Sequence, residues 1–249
     1  MSARFHAPDA RASGDLVTLP AEETGHLSRV LRLKTGDAIR VFNGRGGEFD
    51  AVIEREDRRG ALVRVGPPRS AAPESSVAVT FAPAVLKGDK MDDVVRDAVM
   101  MGAMAIQPVV SDRSEVTLAA LDRGRRRDRW ERVAVASAKQ CGRAVVPAIL
   151  VPCTVDDLLE AAGNATRERQ VLMFVEPGAS SSAARLGELT LAVPREAIVI
   201  VGPEGGWSAG EIARASARCR LVTLHGTIIR ADAMPTVALS ALLTTWGAL

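Results

Sequence analysis

The sequence predicts an α/β protein in two parts: a small β-barrel carrying one helix, then an α/β domain built on a mainly parallel sheet. Three observations predict it. The first 65 residues are short alternating runs separated by turn signals. Beyond residue 77, strand-like and helix-like segments alternate. Between them, residues 66–76 (Gly66-Pro67-Pro68 through Ser75-Ser76) read as a Pro/Ser/Ala-rich linker. Alternation with period two marks half-buried strands, whereas strand–helix alternation marks βαβ units and a parallel sheet. The expected domains are residues 1–70 and 77–249.

The elements follow in order. Leu16–Leu19, Ala38–Phe42, Glu48–Ile53 and Ala61–Val65 have the strand alternation, and Asn43-Gly44 and Gly46-Gly47 supply turns between two of them. Glu22–Leu33, entered after Pro20, reads as a short helix. In the second part Val77–Ala84 and Ala105–Val110 are strands, and Lys90–Met101 is a helix with Gly102 at its end. Asp128–Gln140 is a helix, and Leu172–Val175 and Ala197–Val201 are strands followed by Gly-containing loops. Ser208 and Glu211 have the spacing of a capping box opening a helix to Ala217. Leu221–Leu224 is the last strand and Pro235–Trp246 the last helix.

Composition excludes several classes. Five Phe, three Trp and no Tyr leave too few rings for a broad base-stacking platform. The net charge is +2 overall; residues 1–70 hold 12 Lys/Arg against 10 Asp/Glu, and the rest balances to zero. Any basic patch must therefore come from folding. Cys141, Cys153 and Cys219 are odd in number and widely spaced, which argues against a disulfide framework or a zinc site. No signal core and no membrane-length apolar run is evident, so the expected location is the cytoplasm.

Three strand-to-loop junctions carry the candidate chemistry. Ile198–Val201 runs into Gly202-Pro203-Glu204-Gly205-Gly206-Trp207-Ser208. Loops beyond the carboxyl ends of parallel strands are where such sheets bind ligands, and glycines let backbone approach a ligand closely. The pattern matches neither a P-loop nor a dinucleotide fingerprint, and a ligand-free Gly-rich turn is the alternative. Leu221–Leu224 leads to a second loop ending in Arg230-Ala231-Asp232, and Phe174-Val175-Glu176-Pro177-Gly178 is a third. An arginine at a loop apex can fork hydrogen bonds to a phosphate or polarised carbonyl; a plain Arg230–Asp232 surface pair is the alternative.

Strand, Gly-Pro-Glu-Gly-Gly, Ser208 and Glu211, followed some twenty residues on by Ile228-Ile229-Arg230, resembles the SPOUT methyltransferases. Among them the chain most resembles the RsmE-type enzymes, which methylate N3 of a uridine in bacterial 16S rRNA. Further matches are Leu86–Asp92, Ser111-Asp112-Arg113-Ser114, Arg129–Val133, Gln140-Cys141-Gly142-Arg143 and Pro147. In front, Arg4-Phe5, His26–Arg32 and Gly36-Asp37 are similar to the family's PUA-like domain. The resemblance spans essentially the whole chain. The sequence departs from the family pattern at Met100-Met101-Gly102, at Lys139, at His225 with its glycine one place later at Gly226, and at Asp232, where the family has Glu.

The resemblance implies a PUA-like RNA-binding domain over 1–70 and a trefoil-knotted SPOUT domain over 77–249 that forms a homodimer. It implies S-adenosylmethionine held among the three loops, by Phe174, Val175, Glu176, Val201, Gly202, Pro203, Glu204, Gly206, Leu224, Gly226 and Ile229. Uridine N3 must lose a proton during attack, so the site needs a base or a cation that stabilises the uridine anion. Arg230 is the expected cation, and Asp232 orients it or takes the proton. Arg29, Arg32, Lys87, Lys90, Arg113, Arg125, Arg126 and Arg143 are the expected contacts to 16S rRNA of the small ribosomal subunit, with no metal and no membrane. The run Arg123–Arg129 has a solvated helix entry as its alternative. Three other functions stay open: a methyltransferase with another rRNA target, such as a ribose 2′-O-methyltransferase; an RNA-binding assembly factor without catalysis; and a nucleotide-binding enzyme, which lacks the expected Lys-Ser/Thr.

Overall fold

The computed structural model describes residues 2–57, 60–224 and 226–249, so the expectation at His225 lies outside the described residues. The chain divides into two compact units. The first comprises 1–74 together with 135–146, and the second comprises 75–134 and 147–249.

In the first unit, β1 (Arg4–His6), β2 (Leu16–Thr18), β3 (Ala38–Phe42), β4 (Glu48–Asp57) and β5 (Gly60–Arg69) form a sheet of order β1-β3-β4-β5-β2. β1 runs parallel to β3 and the other pairs are antiparallel. Alternate residues point inward, and Phe5, Ile39, Val41, Ile53 and Val63 form the core with Leu27. The expected helix over 22–33 is shorter. It is α1 (Ala21–Gly25), which passes into a π-helical turn at His26–Val30 and ends before Arg32, whose φ is +54°. Three residues are too few to show a period, which is why β1 escaped the sequence reading.

The expected linker is also corrected: residues 66–69 belong to β5, with Pro68 opposite Phe49 and Arg69 opposite Glu48. β2 reaches only to Arg64 on the other side, so Pro67 and Pro68 lie where that flank has no paired strand. Proline, lacking an N–H, is tolerated at such an edge.

The carboxyl end of the long helix α4 (Arg126–Cys141) joins this unit through Arg4. Its guanidinium donates to the carbonyls of Ala138 (3.0 Å), Lys139 (3.2 Å) and Arg143 (2.8 Å), and also to Glu48 (3.1 Å). A cation here sits among the last carbonyls of the helix and of the turn beyond it, where it complements the helix's negative end.

The second unit contains β6 (Ala78–Pro83), α2 (Lys90–Met100), β7 (Ala105–Ile106), β8 (Val109–Val110), α3 (Leu118–Arg123), the first part of α4, β9 (Ala148–Ile149), β10 (Cys153–Thr154) and α5 (Val155–Ala162). It continues with β11 (Arg169–Phe174), β12 (Ala184–Arg185), β13 (Glu196–Val201), α6 (Ala209–Ser216), β14 (Arg220–Thr223) and α7 (Met234–Thr245). Among the described residues the main sheet has order β12-β14-β11-β13-β6-β7-β9, every pair parallel. Ala197–Val201 of β13 is a continuous buried run, as a strand covered on both faces requires. On α2, Met91, Val94, Val95, Ala98 and Val99 repeat at helical spacing and are buried, and Gly102 (φ +89°) ends the turn.

Two expectations change in this unit. The strand over 105–110 is two strands, broken at Gln107-Pro108; β8 leaves the main sheet and pairs with β10. α5 was missed although its signal is legible, since Thr154 and Asp157 form a capping box, each accepting from the other's backbone N–H at 3.1 Å.

Candidate active site at the ends of three parallel strands

Because the strands are parallel, the carboxyl ends of the neighbours β11, β13 and β14 open on the same edge of the sheet. The loops leaving them enclose a cavity of about 290 Å³, near the lower end of small-molecule sites. Phe174, Val175, Glu176 and Pro177 come from the first loop; Gly202, Pro203, Glu204, Gly206 and Trp207 from the second; Leu224, Thr227, Ile228, Ile229, Arg230 and Asp232 from the third. Lys90, at the start of α2, and Thr223, the last residue of β14, complete the wall with Ala231 and Met234.

The second loop is held tightly. Gly206 has φ +66°, and a Cβ there would sit 2.5 Å from Glu176 Oε1. Trp207 is buried and donates from Nε1 to the Phe174 carbonyl at 2.8 Å, pinning the second loop to the end of β11. Ser208 and Glu211 form the expected capping box on α6. Glu211, only 1% exposed, also accepts from the backbone N–H of Asp112 at 2.9 Å. Ser208 Oγ donates to Asp112 Oδ2 at 2.6 Å, and Arg113 donates to the Gly205 carbonyl at 2.7 Å. The 111–114 loop therefore braces the glycine loop, a role spacing alone does not reveal.

At the cavity, charges alternate. Arg230 makes two hydrogen bonds to Asp232, at 3.0 and 2.6 Å, and Lys90 makes one to Glu204 Oε1 at 2.8 Å. The Arg230 bond, which outweighs slight burial and is reinforced by the charges of Arg230 and Lys90, holds Asp232 below the usual aspartate range. For Glu204, burial pushes upward. The Lys90 ammonium and backbone N–H donors, that of Lys87 included, outweigh it, and the carboxyl lies below its ordinary value. Both acids are thus anions paired with cations, a poor arrangement for accepting a proton near neutral pH. Burial pushes the thiols of Cys153 and Cys219 up to about 11 and about 12, so neither is a ready nucleophile.

Of the expected cofactor residues, Phe174, Val175, Glu176, Gly202, Pro203, Glu204, Gly206, Leu224 and Ile229 line this one cavity, as do Arg230 and Asp232. Val201 is buried at the end of β13 and Gly226 is exposed in the third loop; neither is among the lining residues. Trp207, Thr223, Pro177 and Met234 line it without having been on the expected set.

The expected RNA contacts separate. Arg29 and Arg32 are exposed on the first unit and line a shallow groove with Ser28 and Lys34. Lys87 pairs with Glu115 at 3.0 Å, Arg125 is exposed with φ +47°, and Arg126 is half-buried. Arg143 is only 6% exposed and is clamped on Glu74, with contacts of 2.5 and 3.1 Å, so its guanidinium faces a carboxylate of its own unit. Lys139 is likewise internal to the first unit, bound to Glu23 at 2.8 Å and to His26 Nδ1 at 3.0 Å. Among the described residues no His, Cys, Asp or Glu side chains gather in a group that could hold a metal, and no helix is long and apolar enough to cross a membrane.

The chain is similar to known proteins in sequence and in fold. Residues 73–243 match the RNA methyltransferase domain family, and residues 19–66 match an RNA methyltransferase PUA domain. The ribosomal RNA small subunit methyltransferase E of Synechocystis is 31% identical over 90% of this chain and 71% of its own length. The crystal structure of a ribosomal RNA small subunit methyltransferase E from Neisseria gonorrhoeae, bound to S-adenosyl methionine, superposes with a TM-score of 0.87 at 29% identity, over 99% of this chain and 98% of that one. A methyltransferase of Legionella pneumophila in complex with the same cofactor gives 0.86 at 26% identity, over 98% of each chain. With one family model across most of its length and a relative this similar over most of both chains, the protein belongs to the ribosomal RNA small subunit methyltransferase E family of RNA methyltransferases.

Proposed function

We propose that this protein transfers the methyl group of S-adenosylmethionine to N3 of a uridine in the 16S rRNA of the small ribosomal subunit. The observation that carries the proposal is the single cavity shared by the three expected loops, with Arg230 and Asp232 on its wall. The residues fit the cofactor. The walls are mostly apolar (Val175, Pro203, Leu224, Ile228, Ile229), and the glycine loop keeps backbone rather than side chain at the surface where Gly206 meets Glu176. Phe174, Val175, Glu176, Val201, Gly202, Pro203, Glu204, Gly206, Leu224, Gly226 and Ile229 are the proposed holders.

When bound, the cofactor supplies an activated sulfonium methyl, so the chain's task is chiefly positioning, exclusion of water and charge stabilisation. The uracil ring must leave any base pair before N3 is reachable, at a cost of a few kcal/mol. Loss of the N3 proton leaves negative charge on the uracil oxygens. Arg230, its side chain 77% exposed, is the group to receive that charge, with Asp232 fixing its fork. Lys90 stands at the same wall as a second cation.

The first unit is proposed to hold RNA through Arg29 and Arg32; in the second, Lys87, Lys90, Arg113, Arg125 and Arg126 are the proposed phosphate contacts. Arg143 is left out because, unlike the paired but exposed Lys87 and Lys90, it is only 6% exposed and clamped on Glu74. A trefoil knot in the second unit is part of the proposal on the strength of the family resemblance, and the all-parallel sheet with β13 between β6 and β11 is compatible with it. A homodimer working in the cytoplasm completes the proposal; exposed Met100 and Met104 offer apolar surface for pairing.

The test is methyl transfer from labelled S-adenosylmethionine to small subunits lacking the modification, with the product nucleoside identified by mass spectrometry. N3-methyluridine is the expected product. Another methylated nucleoside would redirect the target. No transfer and no cofactor binding would replace the reading with a non-catalytic RNA-binding factor.

A further inference from the structure

We infer that the Thr223 hydroxyl is a direct hydrogen-bonding contact to the bound cofactor, unmade in the free protein and made on binding. The inference rests on the cofactor reading above and adds a residue to it. Thr223 ends β14, on the sheet edge where the cavity opens, and is 9% exposed. Among the described residues its buried Oγ1 has no hydrogen-bond partner, and no other side-chain atom of the described cavity wall is left so.

The surrounding polar atoms do not serve it. Trp207 Nε1 occupies the Phe174 carbonyl at 2.8 Å, and the Val175 N–H is taken by the Val222 carbonyl at 2.9 Å. A buried hydroxyl without a partner opposes folding, and valine would fill nearly the same volume without that penalty. A polar group left unpaired at a ligand cavity is therefore placed for the ligand. A hydroxyl both donates and accepts, so it can meet the adenosine or the amino-acid part of the cofactor. Both parts are also present in S-adenosylhomocysteine.

Calorimetric titration of S-adenosylmethionine and S-adenosylhomocysteine into the full-length protein and into Thr223→Val and Thr223→Ser, with thermal unfolding of each cofactor-free protein, tests this. Thr223→Val is expected to bind both ligands about tenfold more weakly, about 1.4 kcal/mol. Thr223→Ser, which keeps the hydroxyl, is expected to stay within about threefold of the parent. Cofactor-free Thr223→Val is expected to unfold at the parent's temperature or above it. Unchanged affinity in Thr223→Val would overturn the inference, as would a clear fall in its cofactor-free unfolding temperature, which would make the hydroxyl structural. A parent protein that binds neither ligand would instead remove the cofactor reading on which the inference stands.

Discussion

The Lys90 ammonium lies 2.8 Å from Glu204 Oε1 and so ties the start of α2 to the Gly-Pro-Glu-Gly-Gly loop. Both side chains are more than one-third exposed, so the pair contributes at most about 1 kcal/mol. Its pH dependence has a definite sign. Glu204 titrates below its ordinary value in the folded chain. Its contribution is therefore complete above the unfolded glutamate value, about 4.3, and lost as pH falls through the lower folded value. Glu204→Gln is expected to unfold at a lower temperature than the parent at pH 7, with the gap closing below about pH 4. Thermal melts across that range check it; a gap that widens in acid would contradict the pairing.

Arg230→Ala is expected to lower kcat by 100-fold or more while leaving cofactor Kd within about threefold, the pattern for loss of charge stabilisation made only in the transition state. Turnover at saturating cofactor, measured beside a binding titration, separates the two. Unchanged turnover would mean the Arg230–Asp232 pair is surface decoration.

Trp207→Phe keeps the ring and removes the donor to the Phe174 carbonyl. A buried carbonyl left unpaired costs about 1–3 kcal/mol, which should appear in denaturant unfolding of the second unit and in weaker cofactor binding. Equal binding by the two proteins would show that the loop does not need this pin.

RNA binding should distinguish the arginines. Arg29→Ala with Arg32→Ala is expected to reduce the slope of log affinity against log salt by about one per lost phosphate contact. Arg143→Ala is expected to leave that slope alone and to lower the stability of the first unit, because Glu74 loses its partner. A flattened slope in Arg143→Ala would restore it to the RNA surface.

Much of this was legible in the sequence where a signal is local and strong. The buried run of β13, the capping box of Ser208 and Glu211, and Gly102 closing α2 all follow from spacing within a few residues. Convergence of the three loops needed the parallel sheet order, which the family resemblance supplied and periodicity does not. What stayed hidden depends on partners distant in sequence. Arg143 reads as a loop cation until Glu74 is seen beside it, and nothing local shows that Arg113 also holds the Gly205 carbonyl. Thr223 carries no motif at all; only its burial and its missing partner single it out. Gly66-Pro67-Pro68 misled for the opposite reason, because a composition typical of linkers also suits a strand flank with no neighbour.

The placement of residues 135–146 with the first unit has a consequence for how the chain is made. Arg4 is translated more than 130 positions before Ala138, Lys139 and Arg143, whose carbonyls receive its guanidinium. The first unit is not whole when residues 1–74 have been made, because 135–146 also belong to it. Until the intervening residues 75–134 have been translated, the Arg4 guanidinium has Glu48 for a partner but lacks its carbonyl acceptors from 138–143. A fragment cut after Glu74 would lack those acceptors permanently, so the first unit depends for its completion on a segment translated after the start of the second.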